Sequence, residues 1–589
     1  MSNLGLFFHS NYSNQEKYLN YIQEQIKSFI HSESLSFEFK VSNNTTMGVL
    51  NWGVFGGMFS KYDVTILFDG YLLDDYTLTK EDQCEQLYRE FTTKGIDFIK
   101  KRNFFGNIII STKEQSYIVT SQHTIFYLFY TITKEKELIV APAIKYILPF
   151  LTQLDINFHA YYELLKLEHC VDNKTLFKAI HKIPSNTIIE YCHNSKKIQL
   201  IDYSQEYWDA TPTIALTGSA QADAKIINDL FQTSTQRCTH IIKNQPISLS
   251  FSAGTDSSYV LSHLLDANLP VTLSTKLMGA KQSSVISPIL EKLKNTYSNI
   301  AIKGNYFNYS NLSYDNCLNI IDESLCLREV TRPLADWHVS CLADSEPWSC
   351  FTDGATGDGV IGGSIIEWYN KWTYLFQTIF SRTQTIHSIT RLHKQKSLSD
   401  KYHLKYSCKN KVGFNHSYSM IFDHYILHMQ NHVYNKSSDH VHILRNHKEY
   451  FLTSFYENDF FRVVMQYPYS EKYRNKLYYY LLNEQGKYFN SIPIENTNKV
   501  LPKTYQRYHS QRSESLVKRV WNKIKRGKIS VGSYSHCVPF YEHFGYYKSA
   551  NMNKLNEMDL MIDHSVDASV QSFILDRYIE QSKKKLNQF

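Results

Sequence analysis

The residues best suited to chemistry in this sequence form a short run of small and hydroxyl side chains, Ser252-Ala-Gly-Thr-Asp-Ser-Ser258. An apolar segment ending at Phe251 precedes the run, and Tyr259 begins a segment with apolar residues at helical spacing. The pattern therefore predicts a strand, a loop and a helix. Such a loop surrounds an anion with backbone N–H groups and a helix N-terminus, so phosphate is its natural ligand.

Side chains of this loop add to the predicted anion site. Ser252, Ser257 and Ser258 provide hydroxyl donors. Gly254 allows a ligand to approach the backbone closely. Asp256 is unexpected there because a carboxylate repels phosphate, but it fits if it holds a Mg²⁺ ion that bridges to phosphate oxygens. The structural alternative is a serine-rich turn in which Ser257 or Asp256 caps the helix.

A second run rich in glycine, Phe351-Thr-Asp-Gly-Ala-Thr-Gly-Asp-Gly-Val-Ile-Gly-Gly363, follows downstream. The first run resembles the pyrophosphate loop of the N-type ATP pyrophosphatases, which cleave ATP between the α and β phosphates and adenylate a substrate. The second resembles the matching loop of asparagine synthetases. The resemblance implies that Asp358 binds Mg²⁺ and pyrophosphate with Asp256, and that Gly354 and Gly357 belong to the ATP site. The alternative is a purely structural glycine-rich bend.

Strand and helix patterns alternate from about residue 210 onward. We expect helices over 226–243 and 286–293 and a strand over 271–277, which together favour a parallel sheet with ligands at its carboxyl edge. In the family that the loops resemble, the strand after the loop's helix borders the adenosine. This implies ATP contacts at four residues, which could equally be ordinary strand residues: Leu249, Ser250, Ser274 and Lys276.

Residues 1–150 have a mostly β pattern, with predicted helices near 14–30 and 80–100. Their order resembles the N-terminal glutaminase domain of asparagine synthetases. The matching segments are Asp69-Gly70, Gly106-Asn-Ile-Ile, Ser121-Gln122, 138–148, 174–184 and Tyr207-Trp208. The resemblance implies a degenerate α+β, Ntn-hydrolase-like sandwich over 1–208. Over 209–589 it implies an α/β parallel-sheet ATP-pyrophosphatase domain, of the adenine nucleotide alpha hydrolase-like kind, with a helical C-terminal extension.

Several departures from the family pattern narrow the function. A class II glutaminase needs cysteine directly after the initiator methionine, because the freed α-amine is the base for that thiol. This chain has Ser2, and its first cysteine is Cys84, so we predict that it does not hydrolyse glutamine. At the position of Ala355, asparagine synthetases have glutamate and β-lactam synthetases have tyrosine. The glutamate that follows the loop aspartate in the family is Gly359 here.

The family also places a catalytic lysine, in an Arg-x-Lys context, shortly after a Leu-Pro pair. Here Leu501-Pro502 is followed by Lys503, Arg507 and His509. Arg507 fits the arginine, and His509 falls at the position of the lysine with a shift of one residue. A cation there would neutralise charge that builds on the phosphate during adenylation. The sequence does not choose among these three candidates.

The resemblance implies a ligase that uses ATP and Mg²⁺ to adenylate a carboxylate for attack by an amine. Lasso-peptide macrolactam cyclases of this family also carry a degenerate glutaminase domain. They join the side chain of an Asp or Glu to the α-amine of the same precursor peptide. The implied partners are therefore a carboxylate and an amine substrate, such as a precursor peptide with an accessory leader-processing protein. The alternatives are an ammonia-dependent asparagine synthetase acting on aspartate and a non-catalytic ATP-binding relative.

Composition sets outer bounds on these interpretations. With 589 residues, the chain is long enough for about two to four domains. No apolar run reaches the ~18 residues of a membrane span, and the N-terminus lacks the basic segment of a signal peptide. The ten cysteines are scattered without a C-x-x-C pair, which favours free thiols and a cytoplasmic location. The many histidines of 387–447 are irregularly spaced and predict no metal site.

Charge is concentrated in one segment of the chain. The net charge is +7, and the segment from Lys503 to Lys528 holds nine Lys or Arg residues against the single acid Glu514. This segment is either a solvated basic face, an anion site near ATP or the binding surface for an acidic partner. No nucleic-acid recognition motif accompanies it, so we predict a protein that binds neither nucleic acid nor a membrane.

Overall fold

The structure is a computed structural model of the 589-residue chain. It describes residues 6–325, 350–361, 450–512 and 544–587, with gaps inside these ranges, the longest at 11–19 and 25–34. Ser2, Ala355, the histidine-rich segment 387–447 and most of the basic segment 503–528 lie outside the described residues. The side chains of Asp358 and Lys276 also lie outside them.

The N-terminal part consists of two six-stranded antiparallel sheets. The strands are, in chain order, β1 Leu6–His9, β2 Leu35–Val41, β3 Thr46–Trp52, β4 Gly57–Lys61, β5 Val64–Leu72, β6 Phe104–Ser111, β7 Gln115–Thr120, β8 Phe129–Ile132, β9 Leu138–Ala141, β10 His181–Lys182, β11 Thr187–Cys192 and β12 Ile198–Asp202. The strand order is β10-β8-β9-β1-β3-β2 in the first sheet and β12-β11-β7-β6-β5-β4 in the second. Strands β6 and β7 pair as an antiparallel hairpin.

The alternating direction of side chains along the strands determines how the two sheets pack. Phe8 of the first sheet and Leu67 of the second are buried in one core between the sheets. On the outer face of the second sheet, Ile66 packs with helix α1, Lys80–Lys94. On the outer face of the first sheet, Phe7 shares a core with helix α2, Phe158–Leu167. Because successive strand residues point to opposite faces, the result is a sandwich with helices on both outer sides.

The second part contains a five-stranded sheet in which all neighbouring strands are parallel. Its strands are β13 Ile247–Ser250, β14 Val271–Leu277, β15 Ile300–Tyr306, β16 Cys350–Asp353 and β17 Tyr450–Phe451. The strand order is β15-β14-β13-β16-β17, so the predicted parallel sheet is confirmed. The chain moves outward from β13 to β15 and then starts again on the other side of β13 at β16. This reversal makes the gap between β13 and β16 a topological switch point.

Helices connect and surround the parallel sheet. Those before β17 are α3 Ser204–Asp209, α4 Ala220–Ile241, α5 Thr255–Asp266, α6 Ala280–Thr296, α7 Tyr314–Leu325 and α8 Gly357–Ile361. Those after it are α9 Asn458–Met465, α10 Tyr469–Lys472, α11 Lys476–Glu484, α12 Gly486–Phe489, α13 Tyr505–Arg512, α14 Ala550–Glu557 and α15 Val566–Leu586. The predicted helices at 80–100, 226–243 and 286–293 are confirmed by α1, α4 and α6, and 259–265 lies in α5.

The C-terminal helix α15 returns to the N-terminal sandwich. Asp576 of α15 accepts a hydrogen bond from the hydroxyl of Tyr161 in α2 at 2.9 Å. One continuous apolar core joins the sandwich, the parallel sheet and α15. Among the described helices, none is long and apolar enough to cross a membrane. The five cysteines whose side chains are described are all free thiols.

Candidate functional site

The two loops predicted from the sequence lie side by side. In the register of β13 and β16, Ser250 pairs with Asp353, so the two strands end at the same level of the sheet. The first loop leaves β13 there and the second leaves β16. Ligands of open parallel sheets bind outside the carboxyl ends of the strands at the switch point. Both loops therefore flank the place where this fold class binds ligands.

The first loop leads directly into helix α5. The N-cap of α5 is Gly254, and no side chain caps the helix, so the alternative in which Ser257 or Asp256 caps the helix is wrong. Instead, the Ser257 hydroxyl donates to the Gly254 carbonyl at 3.3 Å and lies 3.2 Å from the Ser252 hydroxyl. The first N–H groups of a helix have no acceptor inside the helix. An uncapped N-terminus with nearby hydroxyl groups is a suitable anion site.

The unusual backbone conformation of this loop falls on Ala253. Its φ is 54°, in the left-handed region that residues with a Cβ rarely adopt. Gly254, to which the sequence pattern assigned the special backbone role, has an ordinary φ of −70°. A left-handed residue other than glycine costs about 1–3 kcal/mol and is found preferentially at functional sites. Ala253 is fully buried, so packing holds this conformation.

The second loop approaches the first so closely that only glycine fits at two positions. A Cβ added to Gly354 would lie 2.4 Å from the backbone nitrogen of Ser257. A Cβ added to Gly357 would lie 2.7 Å from Oδ1 of Asp256 and 2.8 Å from Cζ of Phe455. All three distances are far below van der Waals contact. The structure thus brings Gly354 and Gly357 together with the aspartate of the first loop.

A tyrosine that the sequence pattern did not indicate contacts the same aspartate. The hydroxyl of Tyr478, in α11, donates to Oδ1 of Asp256 at 2.6 Å. Hydrogen bonds to an ionised acceptor are shorter and stronger than neutral ones. Nothing in the sequence around Tyr478 singles it out, because 44 tyrosines are spread over the chain.

A buried lysine lies beside the second loop. Lys472 is 2% exposed, and its Nζ donates to the carbonyl of Val360 in α8 at 3.4 Å. A lysine is almost never fully buried unless it has partners or a function. The sequence pattern predicts a catalytic cation only after Leu501-Pro502, and Lys472 lies outside that segment.

The three predicted catalytic cations are placed on or next to α13. Lys503 and Arg507 are exposed, and His509 is half-buried with its ring 6.1 Å from that of Tyr505. Helix α13 packs on α11 through Tyr479, whose hydroxyl donates to the carbonyl of Pro502 at 3.0 Å. Helix α11 therefore contacts both the Asp256 loop and the segment that carries these cations.

The other predicted ATP contacts belong to the strand ends. Leu249 is fully buried in the core of the sheet, so its side chain faces apolar neighbours rather than a ligand. The Ser274 hydroxyl lies 3.0 Å from that of Ser248, which links β14 to β13. Ser250, the last residue of β13, is half-buried, whereas Ser258 is buried within α5. The exposed hydroxyl of the loop is that of Ser252.

A scaffold of buried polar groups holds α5 and α11 against α4. The Tyr259 hydroxyl donates to Oδ1 of Asn228 at 2.7 Å, and Nδ2 of Asn228 donates to the Leu481 carbonyl of α11 at 3.0 Å. His263 of α5 also contacts Asn228, at 3.2 Å. Burial lowers the pKa of His263 to about 3, so this histidine is neutral at physiological pH.

The donor set at the two loops suits a hard cation. Asp256 provides carboxylate oxygens, and the backbone of Gly357 lies beside them. Oxygen ligands from one or two carboxylates, completed by phosphate oxygens, are what Mg²⁺ prefers. Within the described side chains, no group of three or more His, Cys, Asp and Glu residues forms a metal centre. The residues present therefore fit an ion shared with a phosphate ligand rather than one held by the protein alone.

No family model and no curated protein matches the chain. Among solved structures, a glutamine phosphoribosylpyrophosphate amidotransferase from B. subtilis, complexed with ADP and GMP, matches with 12% identity and a TM-score of 0.23 over 46% of this chain. An allosteric regulatory enzyme of purine biosynthesis matches with 10% identity and a TM-score of 0.24 over 51% of this chain.

The matched region spans 65% of the first of these structures and 80% of the second. The first of these structures is a glutamine amidotransferase by name. TM-scores this low assign neither a fold nor an activity.

Proposed function

We propose that this protein is an ATP-dependent carbon–nitrogen ligase that adenylates a carboxylate and transfers the acyl group to an amine. The carrying observation is the meeting of the two predicted loops at the switch point of the parallel sheet, with Asp256 against Gly357. The two loops resemble an ATP-pyrophosphatase pair in sequence, and their proximity in the fold supports the proposal that they form one ATP site. The ligase assignment itself comes from the resemblance.

In this proposal the first loop binds the triphosphate. The N-terminus of α5 and the hydroxyl groups of Ser252 and Ser257 donate to phosphate oxygens. Asp256 and Asp358 would hold Mg²⁺, which screens the charge of the phosphates. Lys472, buried beside α8, offsets negative charge near the second loop, and Lys503, Arg507 or His509 approaches from α13 to do the same for the reacting phosphate.

The reaction proceeds in two steps. A carboxylate oxygen attacks the α-phosphorus and the bond to the β-phosphate oxygen breaks, which releases pyrophosphate and leaves an acyl adenylate. An amine nitrogen then attacks the acyl carbon, AMP leaves and the amide nitrogen loses a proton. The loops supply orientation and charge stabilisation.

The amine is proposed to belong to a larger substrate. Ser2 stands where a glutaminase needs cysteine, so ammonia derived from glutamine is not expected. Ala355 replaces the polar residue of relatives with small substrates, which suits a bulkier acceptor such as a precursor peptide. The alternatives remain an ammonia-dependent asparagine synthetase acting on aspartate and a non-catalytic ATP-binding relative.

The test is product analysis with Mg-ATP and candidate carboxylates and amines. We expect AMP and pyrophosphate, and we expect Asp256→Asn to abolish their formation with an unchanged thermal melt. Release of ADP and phosphate instead would refute adenylation. A parallel reaction with aspartate and ammonium separates the substrates, because strong asparagine formation would refute the peptide acceptor. Calorimetric titration with ATP identifies a non-catalytic protein by absent or weak binding.

A further inference from the structure

Oδ1 of Asp256 is confined between two parts of the chain. The hydroxyl of Tyr478 donates to it at 2.6 Å. The backbone of Gly357 also lies close to this oxygen, because a Cβ added to that glycine would come within 2.7 Å of it. The carboxylate therefore cannot turn about its side-chain bonds without breaking the hydrogen bond or pushing against the second loop.

Tyr478 is itself held in place. Its side chain is fully buried, and its ring meets that of Tyr259 edge-on, with centroids 5.8 Å apart and planes at 77°. Asn228 joins the two helices behind it, by accepting from the Tyr259 hydroxyl and donating to the Leu481 carbonyl of α11. The phenol therefore belongs to a rigid support rather than to a mobile surface, and its hydroxyl has one well-defined direction.

We propose that Tyr478 is a positioning residue that orients the Asp256 carboxylate for the metal of the nucleotide complex. The inference rests on the proposed function, since it assumes that Asp256 binds that metal. Groups that hydrogen-bond to a metal ligand fix its orientation, and their loss typically lowers metal affinity about 10- to 100-fold. The competing explanation is that the Tyr478 hydroxyl merely ties α11 to α5.

The test compares two Tyr→Phe variants that each remove one hydroxyl–aspartate hydrogen bond. Tyr478→Phe removes the bond to Asp256. The control Tyr467→Phe removes a bond of similar length, 2.8 Å, from a buried tyrosine to Oδ2 of Asp223 at the start of α4. Mn²⁺ binding is measured by electron paramagnetic resonance in the presence of α,β-methylene-ATP, which cannot be cleaved between the α and β phosphates. Thermal melts are recorded for all proteins.

We expect Tyr478→Phe to weaken Mn²⁺ binding about 10-fold, with no change in affinity for the nucleotide without metal. Tyr467→Phe should leave Mn²⁺ binding as in the wild type. Equal Mn²⁺ affinity in the wild type and Tyr478→Phe, or equal weakening in both variants, would overturn the positioning role. In the Asp256→Asn background, Tyr478→Phe should have no further effect on Mn²⁺ binding, and an undiminished effect there would also refute the inference.

The outcome separates this inference from the proposed function. If the wild-type protein binds no metal–nucleotide complex, both are wrong. If Mn²⁺ binding depends on Tyr478 but no AMP is formed with any substrate, the positioning role stands and the ligase proposal fails. If AMP is formed and Tyr478→Phe leaves the Mg²⁺ dependence of the rate unchanged, only the positioning role fails.

Discussion

Gly354 lies so close to Ser257 that a Cβ on the glycine would come within 2.4 Å of the serine's backbone nitrogen. Gly354→Ala must therefore push the second loop away from the start of α5. We expect a loss of about 1–3 kcal/mol in unfolding free energy, as for other overpacked sites, together with weaker ATP binding. Urea unfolding and calorimetric titration measure the two effects.

Gly486→Ala is the matched control for that substitution. Its Cβ would meet only the side-chain amide of Asn490, at 3.1 Å, which can move away. Unfolding free energy and ATP affinity should both stay near the wild-type values. If Gly354→Ala were as mild as Gly486→Ala, the close contact between the loops would be refuted.

We expect the loss of Lys472 to reduce AMP formation far more than the loss of Lys476, four residues further along. Lys472→Met keeps an unbranched side chain in the buried position but removes the positive charge beside α8. AMP formation should therefore fall about 100-fold or more, as when a charge-stabilising group is lost. Lys476→Met removes a half-exposed lysine that pairs with Glu471 at 2.7 Å, and such pairs contribute only about 0–1 kcal/mol. Rates of AMP release from both variants, measured at saturating ATP, provide the comparison. Equal rates would show that the charge of Lys472 is not used.

The buried histidine of α5 should make stability depend on pH. Burial lowers the pKa of His263 from 6.5 to about 3, so between these values the unfolded chain binds a proton that the folded chain does not. Unfolding free energy therefore falls as the pH falls from 6.5 towards 3, and this histidine should account for about 2 kcal/mol between pH 7 and pH 5. Urea unfolding at several pH values measures the slope.

His263→Gln tests the assignment because glutamine keeps polar contacts but does not titrate in this range. Between pH 6 and 5, the variant should take up about one proton fewer on unfolding than the wild type does. Its unfolding free energy should therefore depend less steeply on pH. A variant with the wild-type slope would show that other groups cause the dependence.

Asp576 should hold the C-terminal helix to the N-terminal sandwich. Its carboxylate accepts hydrogen bonds from four side chains at 2.6–3.0 Å, those of Tyr161, Tyr547, Ser549 and Asn551. Asp576→Ala removes the acceptor that these four donors share, and we expect a loss of about 3 kcal/mol and faster proteolysis within α15. Glu580→Ala, one turn further along and paired with exposed Lys584, should change stability by less than about 0.5 kcal/mol. Proteolysis at the same rate in both variants would contradict the docking role of Asp576.

Local pattern determined a large part of this protein. The apolar run that ends at Phe251, the small-residue loop and the helical spacing after Tyr259 predicted β13 and α5. The strand–helix alternation predicted a parallel sheet. These features depend on neighbouring residues, whose periodicity and turn chemistry are visible in one short window of sequence. The pairing of the loops of Asp256 and Gly357 came instead from their resemblance to one family.

Only the tertiary structure decided which distant side chains complete the site. Tyr478 and Asp256 are 222 positions apart in the chain, and Lys472 reaches Val360 across 112 positions. Helical periodicity predicts which face of α11 is buried, but it does not predict which loop contacts that face. The left-handed conformation of Ala253 had the same origin: an isolated alanine does not favour it, and only the packing of the assembled sheet and helices makes it the lowest in free energy.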